Sequence, residues 1–198
     1  MKFFITGTDT NVGKTVISSW LCLHLKADYF KPIESGCSLS SENDFVKKCS
    51  NAHVHKGIFN YQAPLSPHLA ASLENDTIDL AKISLPNANR LIVEGAGGLF
   101  VPLNHENFMI DLIQKLHLPV ILVARTALGT INHTLLSLEA LRARNINPHG
   151  VILNGEPQFG IKESIERYGK TRILAEFPLL EEVKFEKLKS IPVPNTFH

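Results

Sequence analysis

No apolar run in this sequence approaches the roughly 18 residues that a bilayer-crossing helix needs, so no membrane span is expected. Cysteine is scarce: Cys22, Cys37 and Cys49 are odd in number and form no C-x-x-C pair. That argues against a disulfide framework or a structural zinc site and for a reducing, cytoplasmic setting. An excess of one charge is also missing. The formal net charge is +1, too small to recruit nucleic acid or an anionic membrane through a global field. The first residues are strand-like and run straight into a glycine loop, so no secretory leader is expected there. Internal repeats and low-complexity linkers are lacking as well.

What remains is ordinary globular material, with 44% hydrophobic and 20% charged residues, enough for a substantial core. We expect one domain over residues 1–198. The runs "FFIT" (Phe3 to Thr6), "LIVE" (Leu91 to Glu94), "VILVA" (Val120 to Ala124) and "GVILN" (Gly150 to Asn154) are continuously apolar. Continuous rather than alternating runs mark strands buried on both faces, as in a parallel sheet. "DYFKPI" and "TRILAEF" are weaker strand candidates. Between the runs, Met109, Leu112, Ile113 and Leu116 follow helical spacing, as do Ile131, Leu135, Leu138 and Arg142, and Ile161, Ile165 and Tyr168. Residues 50 to 90, broken by "APLSPH", predict loops and short helices, and "EEVKFEKLKS" a solvated helix. Strand–helix alternation implies a mostly parallel, doubly wound α/β sheet flanked by helices. Ligands in such folds gather at the carboxyl ends of the strands.

The first such end is followed by "GTDTNVGKT", a near match to the phosphate-loop pattern G-x-x-x-x-G-K-[ST]. Counting back from Gly13, the position of the first glycine holds Thr8; the available glycine is Gly7. The context is nonetheless strand, glycine turn and helix start, where backbone N–H groups and the helix dipole favour anions. Lys14 would reach the β- and γ-phosphates of a nucleotide and Thr15 would hold Mg²⁺. Glu94, closing its apolar run before "GAGG", is a candidate metal carboxylate. Asp44 is another, although Ser41, Asn43 and Asp44 also read as helix caps. Asp9 could bond loop amides. Lys31 in "FKPIESG" stands at the active edge of a candidate strand or is a plain surface lysine.

Taken in order, "GTDTNVGKT", "KPIESG", Asn43-Asp44, "SPH" (Ser66 to His68), "EGAGGLFVPL" (Glu94 to Leu103), "LGTINHTLLS" (Leu128 to Ser137) and "GVILNG" (ending at Gly155) resemble the dethiobiotin synthetase family. That family's own loop reads G-T-D-T-x-V-G-K-T. The resemblance implies a P-loop fold of the NTPase type and an ATP- and Mg²⁺-dependent cyclo-ligase of biotin synthesis. Its substrates would be 7,8-diaminononanoate, CO₂ (from bicarbonate) and ATP. By the same resemblance, Lys31 and Lys14 are catalytic, and Thr15, Asp44 and Glu94 hold the metal directly or through water. Asn11, Val12, Gly13, Lys14, Thr15 and Val16 would cradle ATP, with Asp44 and with Glu94, Gly95, Ala96 and Gly97 closing over the phosphates. Asn154 and Gly155 would meet the adenine and Glu176 the ribose. Thr10 and Ser35 would touch substrate near the carbamate. Gly129, Thr130, Ile131 and Asn132, at a helix start, would take the substrate carboxylate from the other subunit of a homodimer; read locally, Thr130 and Asn132 are equally helix caps. The run "TRILAEFPLL" departs from the family's P-L-L-G-x-x-P-like stretch, with Ala175 for the glycine and Ile173 for the proline.

The sequence bears on three other readings. A cobyrinic-acid-type amide synthase would need room for a glutaminase domain. A partition-type ATPase switch favours a lysine where Asp9 stands. A metabolite kinase would not need "KPIESG", but the spacing of the loop fits one equally.

Overall fold

The computed structural model describes residues 1–38 and 41–197. Its centre is a seven-stranded sheet in the order β4-β2-β6-β1-β7-β8-β9, with every pairing parallel. The strands are β1 (Lys2–Gly7), β2 (Asp28–Phe30), β4 (Val54–His55), β6 (Leu91–Gly98), β7 (Val120–Arg125), β8 (Pro148–Asn154) and β9 (Ile173–Phe177). A separate two-stranded sheet pairs β3 (Ile33–Ser35) with β5 (Phe59–Tyr61).

Alternation along β1 divides the core. Phe3 and Ile5 point into a cluster with Ile17, Trp20 and Leu21 of α1 (Lys14–Leu25), whereas Phe4 packs on the opposite side with Met109, Leu112 and Ile113 of α4 (Met109–Leu116). A third cluster, Leu122, Ala124, Val151 and Leu153, is covered by α5 (Thr130–Ala143) and α6 (Ile161–Gly169). Trp20 anchors the first layer, meeting Phe177 and Phe197 edge-on with ring centroids 5.2 and 6.3 Å away. From β1 the chain winds out to β4, returns through β6 to β1's side, then winds the other way through β7, β8 and β9. The strands beside β1 thus flank a topological switch point, where a crevice opens at their carboxyl ends.

Five details differ from the sequence reading. "DYFKPI" is two strands in two sheets, because Pro32 has no N–H to continue a ladder; its carbonyl instead accepts from Ile58 and Phe59. The region from 50 to 90 holds β4 and β5 besides α3 (Pro67–Leu73); strands of two and three residues are too short to show a period. Strand β6 runs through "GAGG" to Gly98, with an irregular register against β1 between Ile5 and Gly7. On α5 the buried line is Thr130, Thr134, Leu138 and Leu141. Ile131 and Leu135 are only partly buried, and Arg142 bonds outward to the Gly169 carbonyl. On α6 the buried line is Ile161, Ile165 and Gly169, because α5 presses Leu138 onto Gly169; Tyr168 is exposed under the Arg167 guanidinium. Among the described residues the other α-helices are α2 (Glu42–Ser50) and α7 (Phe185–Ser190). The latter buries Leu188 and leaves its charges in solvent.

Candidate active site

The phosphate-loop sequence lies between β1 and α1, and the structure explains its spacing. Thr8 still belongs to the sheet edge: its N–H donates to the Val123 carbonyl at 3.0 Å. The turn therefore starts one residue late. Gly7 is the position that needs a glycine, since a Cβ there would stand 2.6 Å from Val12 and 2.9 Å from the Asp9 carbonyl. Asn11 takes the left-handed backbone region that asparagine tolerates (φ 58°). Asp9 accepts the Thr10 N–H at 2.7 Å, tightening the loop. Gly13 caps α1 with φ 96°, and a Cβ there would collide with Asn154, whose amide donates to the Val12 carbonyl at 2.9 Å.

Behind the loop sits one fully buried carboxylate, Glu94 on β6, with three donors. One of its oxygens, Oε1, accepts the Thr15 hydroxyl at 2.8 Å and the Lys31 ammonium at 3.3 Å; Oε2 accepts the Tyr29 hydroxyl at 3.1 Å. A charge buried without partners would be prohibitive, and this one is held by a cation and two hydroxyls. Burial, and then the negative charge of Glu94, push the Tyr29 phenol well above its usual value, so it stays a proton donor.

Lys31 follows β2 directly and is itself buried; its ammonium bridges Glu94 and Glu42, the first residue of α2. Glu34 on β3 holds that helix start, accepting the Glu42 N–H at 2.8 Å and the Asn43 amide at 3.2 Å. Burial raises the Glu34 carboxyl above its ordinary value, opposed by Lys31 and reinforced by Glu94 and Asp44. Lys14 donates to the Asp9 carbonyl at 3.0 Å, and burial lowers it to about 8.

Of these groups, Lys14, Thr15, Lys31, Glu42 and Glu94 line a cavity of about 790 Å³ at the carboxyl ends of the strands. Of the residues singled out in the sequence, Thr10, Asn11, Gly13, Lys14, Thr15, Val16, Lys31, Ser35, Glu94, Ala96 and Gly97 line it. Val12 and Gly95 are adjacent in the chain but turn elsewhere. Asn154 reaches the loop from β8, and Gly155 continues it with φ 130°. Glu176 on β9 is exposed and pairs with Lys162 at 3.3 Å. Asp44 does not line the cavity. It is exposed on the first turn of α2, where its N–H bonds the Ser41 hydroxyl at 3.2 Å. Gly129, Thr130, Ile131 and Asn132 start α5 outside the same cavity.

The sequence reading missed Glu42, Tyr29, Pro64 and Leu65, and named Ser66 and Pro67 only within a motif without giving them a place in the site. Glu42 reads as one more acidic residue in a helix's first turn, and no local pattern sets it apart. The wall from Pro64 to Pro67 carried a signal, the proline-bounded "PLSP" run, without indicating which way it faced.

A strand–loop–helix with lysine and threonine at the helix start, backed by a buried carboxylate and a second buried lysine, defines a P-loop nucleotide-dependent enzyme. Residues 1–187 match a family described as an AAA domain. The chain is 52% identical over 193 residues to the ATP-dependent dethiobiotin synthetase BioD of Lawsonia intracellularis, covering 98% of this chain and 95% of that one. It is 40% identical over 235 residues to the protein of the same name from Neorickettsia sennetsu, covering 99% and 94%. The chain belongs to the dethiobiotin synthetase family. A solved ParA family ATPase from Chlorobium tepidum superposes with a TM-score of 0.53 at 14% identity, over 91% of this chain and 84% of that one; that likeness shows the fold alone. Among the described residues, no helix is long and apolar enough to cross a membrane.

Proposed function

We propose that the chain forms dethiobiotin from 7,8-diaminononanoate, CO₂ and ATP. The 7-amino group takes up CO₂ as a carbamate. A carbamate oxygen attacks the γ-phosphorus, the bond to the bridging oxygen breaks, and ADP leaves. The neighbouring amine then attacks the carbonyl carbon of the mixed anhydride, expelling phosphate and closing the ureido ring. The observation that carries this reading is the convergence of two buried lysines, Lys14 and Lys31, on one cavity lined by the phosphate loop, Ser35 and the wall from Pro64 to Pro67.

An anionic nucleophile approaching a phosphoryl group must overcome repulsion, and fixed cations in a water-poor site lower that barrier most. Lys14 would hold the transferring phosphoryl group. Lys31 would hold the carbamate and stabilise the anhydride as negative charge moves. Thr10 and Ser35 would orient the carbamate, bringing nucleophile and phosphorus together. The amides of Asn11 to Val16 would bind the phosphates, with Glu94 to Gly97 over them. Asn154 and Gly155 would face the adenine, and Glu176 the ribose. The Thr15 hydroxyl and Glu94 carboxylate are hard oxygen donors that would hold Mg²⁺, and Asp44, which does not line the cavity, would bear on it only through water. Bound there, Mg²⁺ would neutralise phosphate charge.

A homodimer completes the reading. The helix start Gly129 to Asn132 lies outside its own chain's cavity, and the neighbouring face of α5 carries an apolar groove of about 410 Å³ lined by Phe100, Val101, Leu136 and Ala140. Exposed Phe100 and Leu136 are the kind of surface a second copy covers. The partner's helix start would then bind the substrate carboxylate. We assign the chain to the cytoplasm.

The test is ADP release by purified protein given ATP, Mg²⁺, bicarbonate and the diamine. Release should require all of them; release that does not depend on the diamine overturns the assignment.

A further inference from the structure

We infer that Asp28, His53 and His55 form a second metal site, for a zinc-like divalent cation, that clips the edge strand of the sheet. None of the three lines the nucleotide cavity, and none is used by the chemistry proposed above. The placement follows from strand geometry. Strand β4 pairs parallel with β2, with Tyr29 opposite Val54 and Phe30 opposite His55, and the Tyr29 N–H donates to the His53 carbonyl at 2.9 Å. Side chains on paired strands alternate with period two, so Asp28 and Phe30 on β2 share a face with His55 on β4 and with His53 just ahead of it. Tyr29 and Val54 go to the other face, into the α1 core. One face of the sheet's edge therefore presents a carboxylate and two imidazoles side by side.

Their atoms are close enough to share an ion. His55 Nε2 lies 2.8 Å from Asp28 Oδ2, the His53 and His55 rings meet edge to face at 4.6 Å, and the three prospective ligand atoms fall within 4.8 Å of one another. Three points so spaced have a common centre no more than about 2.8 Å from each, and bonds of about 2.1 Å require only small rotations of exposed or half-buried side chains. A hydrogen-bonded His55–Asp28 pair needs no third member. His53 nonetheless turns its ring onto that pair and makes no side-chain hydrogen bond among the described residues.

Two imidazoles and one carboxylate select zinc, or copper and nickel, over magnesium, which prefers oxygen ligands throughout. Three protein ligands leave the fourth tetrahedral position to water. The edge strand is otherwise held by two residues of pairing, so a bound ion would fasten β4 to β2 three residues ahead of Lys31. The groove that His53 and His55 line also holds Lys47 and Lys56, whose charge opposes a cation, and Asp44, whose charge favours one.

The experiment uses the full chain, stripped with chelator. It is then exchanged into excess Mg²⁺ without nucleotide, so that no phosphate competes for the ion, and titrated with zinc chloride in a calorimeter and, in parallel, with cobalt(II). We expect one equivalent of zinc with a dissociation constant below about 10 µM. Cobalt should give visible d–d bands without a thiolate charge-transfer band, which separates this site from the cysteines. His53→Ala, His55→Ala and Asp28→Asn should each weaken zinc at least about tenfold. Zinc should raise the melting temperature of the wild type and not of the histidine variants. His53 is exposed, so its variant tests the site without threatening the fold. The proposal is overturned by an absence of saturable zinc binding, by unchanged affinity in the His53 and His55 variants, or by a thiolate band.

Discussion

The Lys31 ammonium stands 3.3 Å from the same Glu94 oxygen that accepts the Thr15 hydroxyl. One carboxylate oxygen therefore ties the proposed catalytic lysine to the phosphate-loop helix. Replacing Lys31 by Gln keeps a polar side chain of similar bulk but removes the cation. Loss of a charge-stabilising group typically costs roughly 10²–10³ in rate, so kcat should fall by at least that factor. ATP affinity, measured by calorimetry without diamine, should change less than about threefold, because the loop amides and Lys14 are untouched. Near-normal kcat in this variant would remove Lys31 from the chemistry.

Tyr29 supports the same carboxylate from the buried side of the sheet. Tyr29→Phe deletes one hydroxyl and leaves the ring in place, so packing is preserved while Glu94 loses a donor. A buried charge that loses a hydrogen bond typically costs about 1–3 kcal/mol. Chemical denaturation should show that loss with an unchanged m-value. Mg²⁺ dependence of turnover should shift to higher concentration as the carboxylate loses its orientation. A variant as stable as the wild type would mean that water replaces the phenol.

Much of this arrangement is legible in the sequence, for physical reasons that differ between residues. The strands β1, β6, β7 and β8 are buried on both faces and must be continuously apolar, so they announce themselves. Lys14, Thr15 and Glu94 follow such runs, and the parallel topology brings run ends together. Lys31 was ambiguous because Pro32 cuts its strand short. Glu42 was invisible: its contact with Lys31 depends on how α2 docks, and a first-turn glutamate has a sufficient local explanation in the helix dipole. The reach of β6 into "GAGG" was hidden because glycines in a strand look like a loop until a register shift accommodates them. The stripe on α5 was misaligned because its buried face includes two threonines, which hydropathy counts as polar.

Lys14 makes nucleotide binding pH-dependent in the alkaline range. In the free protein burial holds it at about 8, below its ordinary 10.5. Between those values the folded chain has released a proton that the unfolded chain keeps, so this group's contribution to stability rises with pH there. Phosphates restore the charge, and ATP binding should take up part of a proton near about pH 8.5. Calorimetry in buffers of different ionisation enthalpy reads that uptake directly. Lys14→Arg stays charged at every accessible pH and should bind ATP with none. Equal uptake in both proteins would assign the proton elsewhere.

The proposed composite site yields the sharpest test of the dimer. Asn132 starts α5 outside its own chain's cavity, so Asn132→Ala should weaken diamine binding and leave ATP binding nearly unchanged. Lys31→Gln damages the other half of the site. If each site takes Lys31 from one protomer and Asn132 from its partner, a hybrid of the two variants holds one intact site and one doubly damaged site. Random exchange at equal concentrations makes half the dimers hybrid, so about a quarter of wild-type activity should return on mixing. Dilution below the dimer's dissociation constant should abolish the recovered activity, because neither chain alone holds a complete site. If sedimentation shows hybrids forming while the mixture's rate equals the sum of its parts, each chain carries its own carboxylate site and the helix start of α5 has another role.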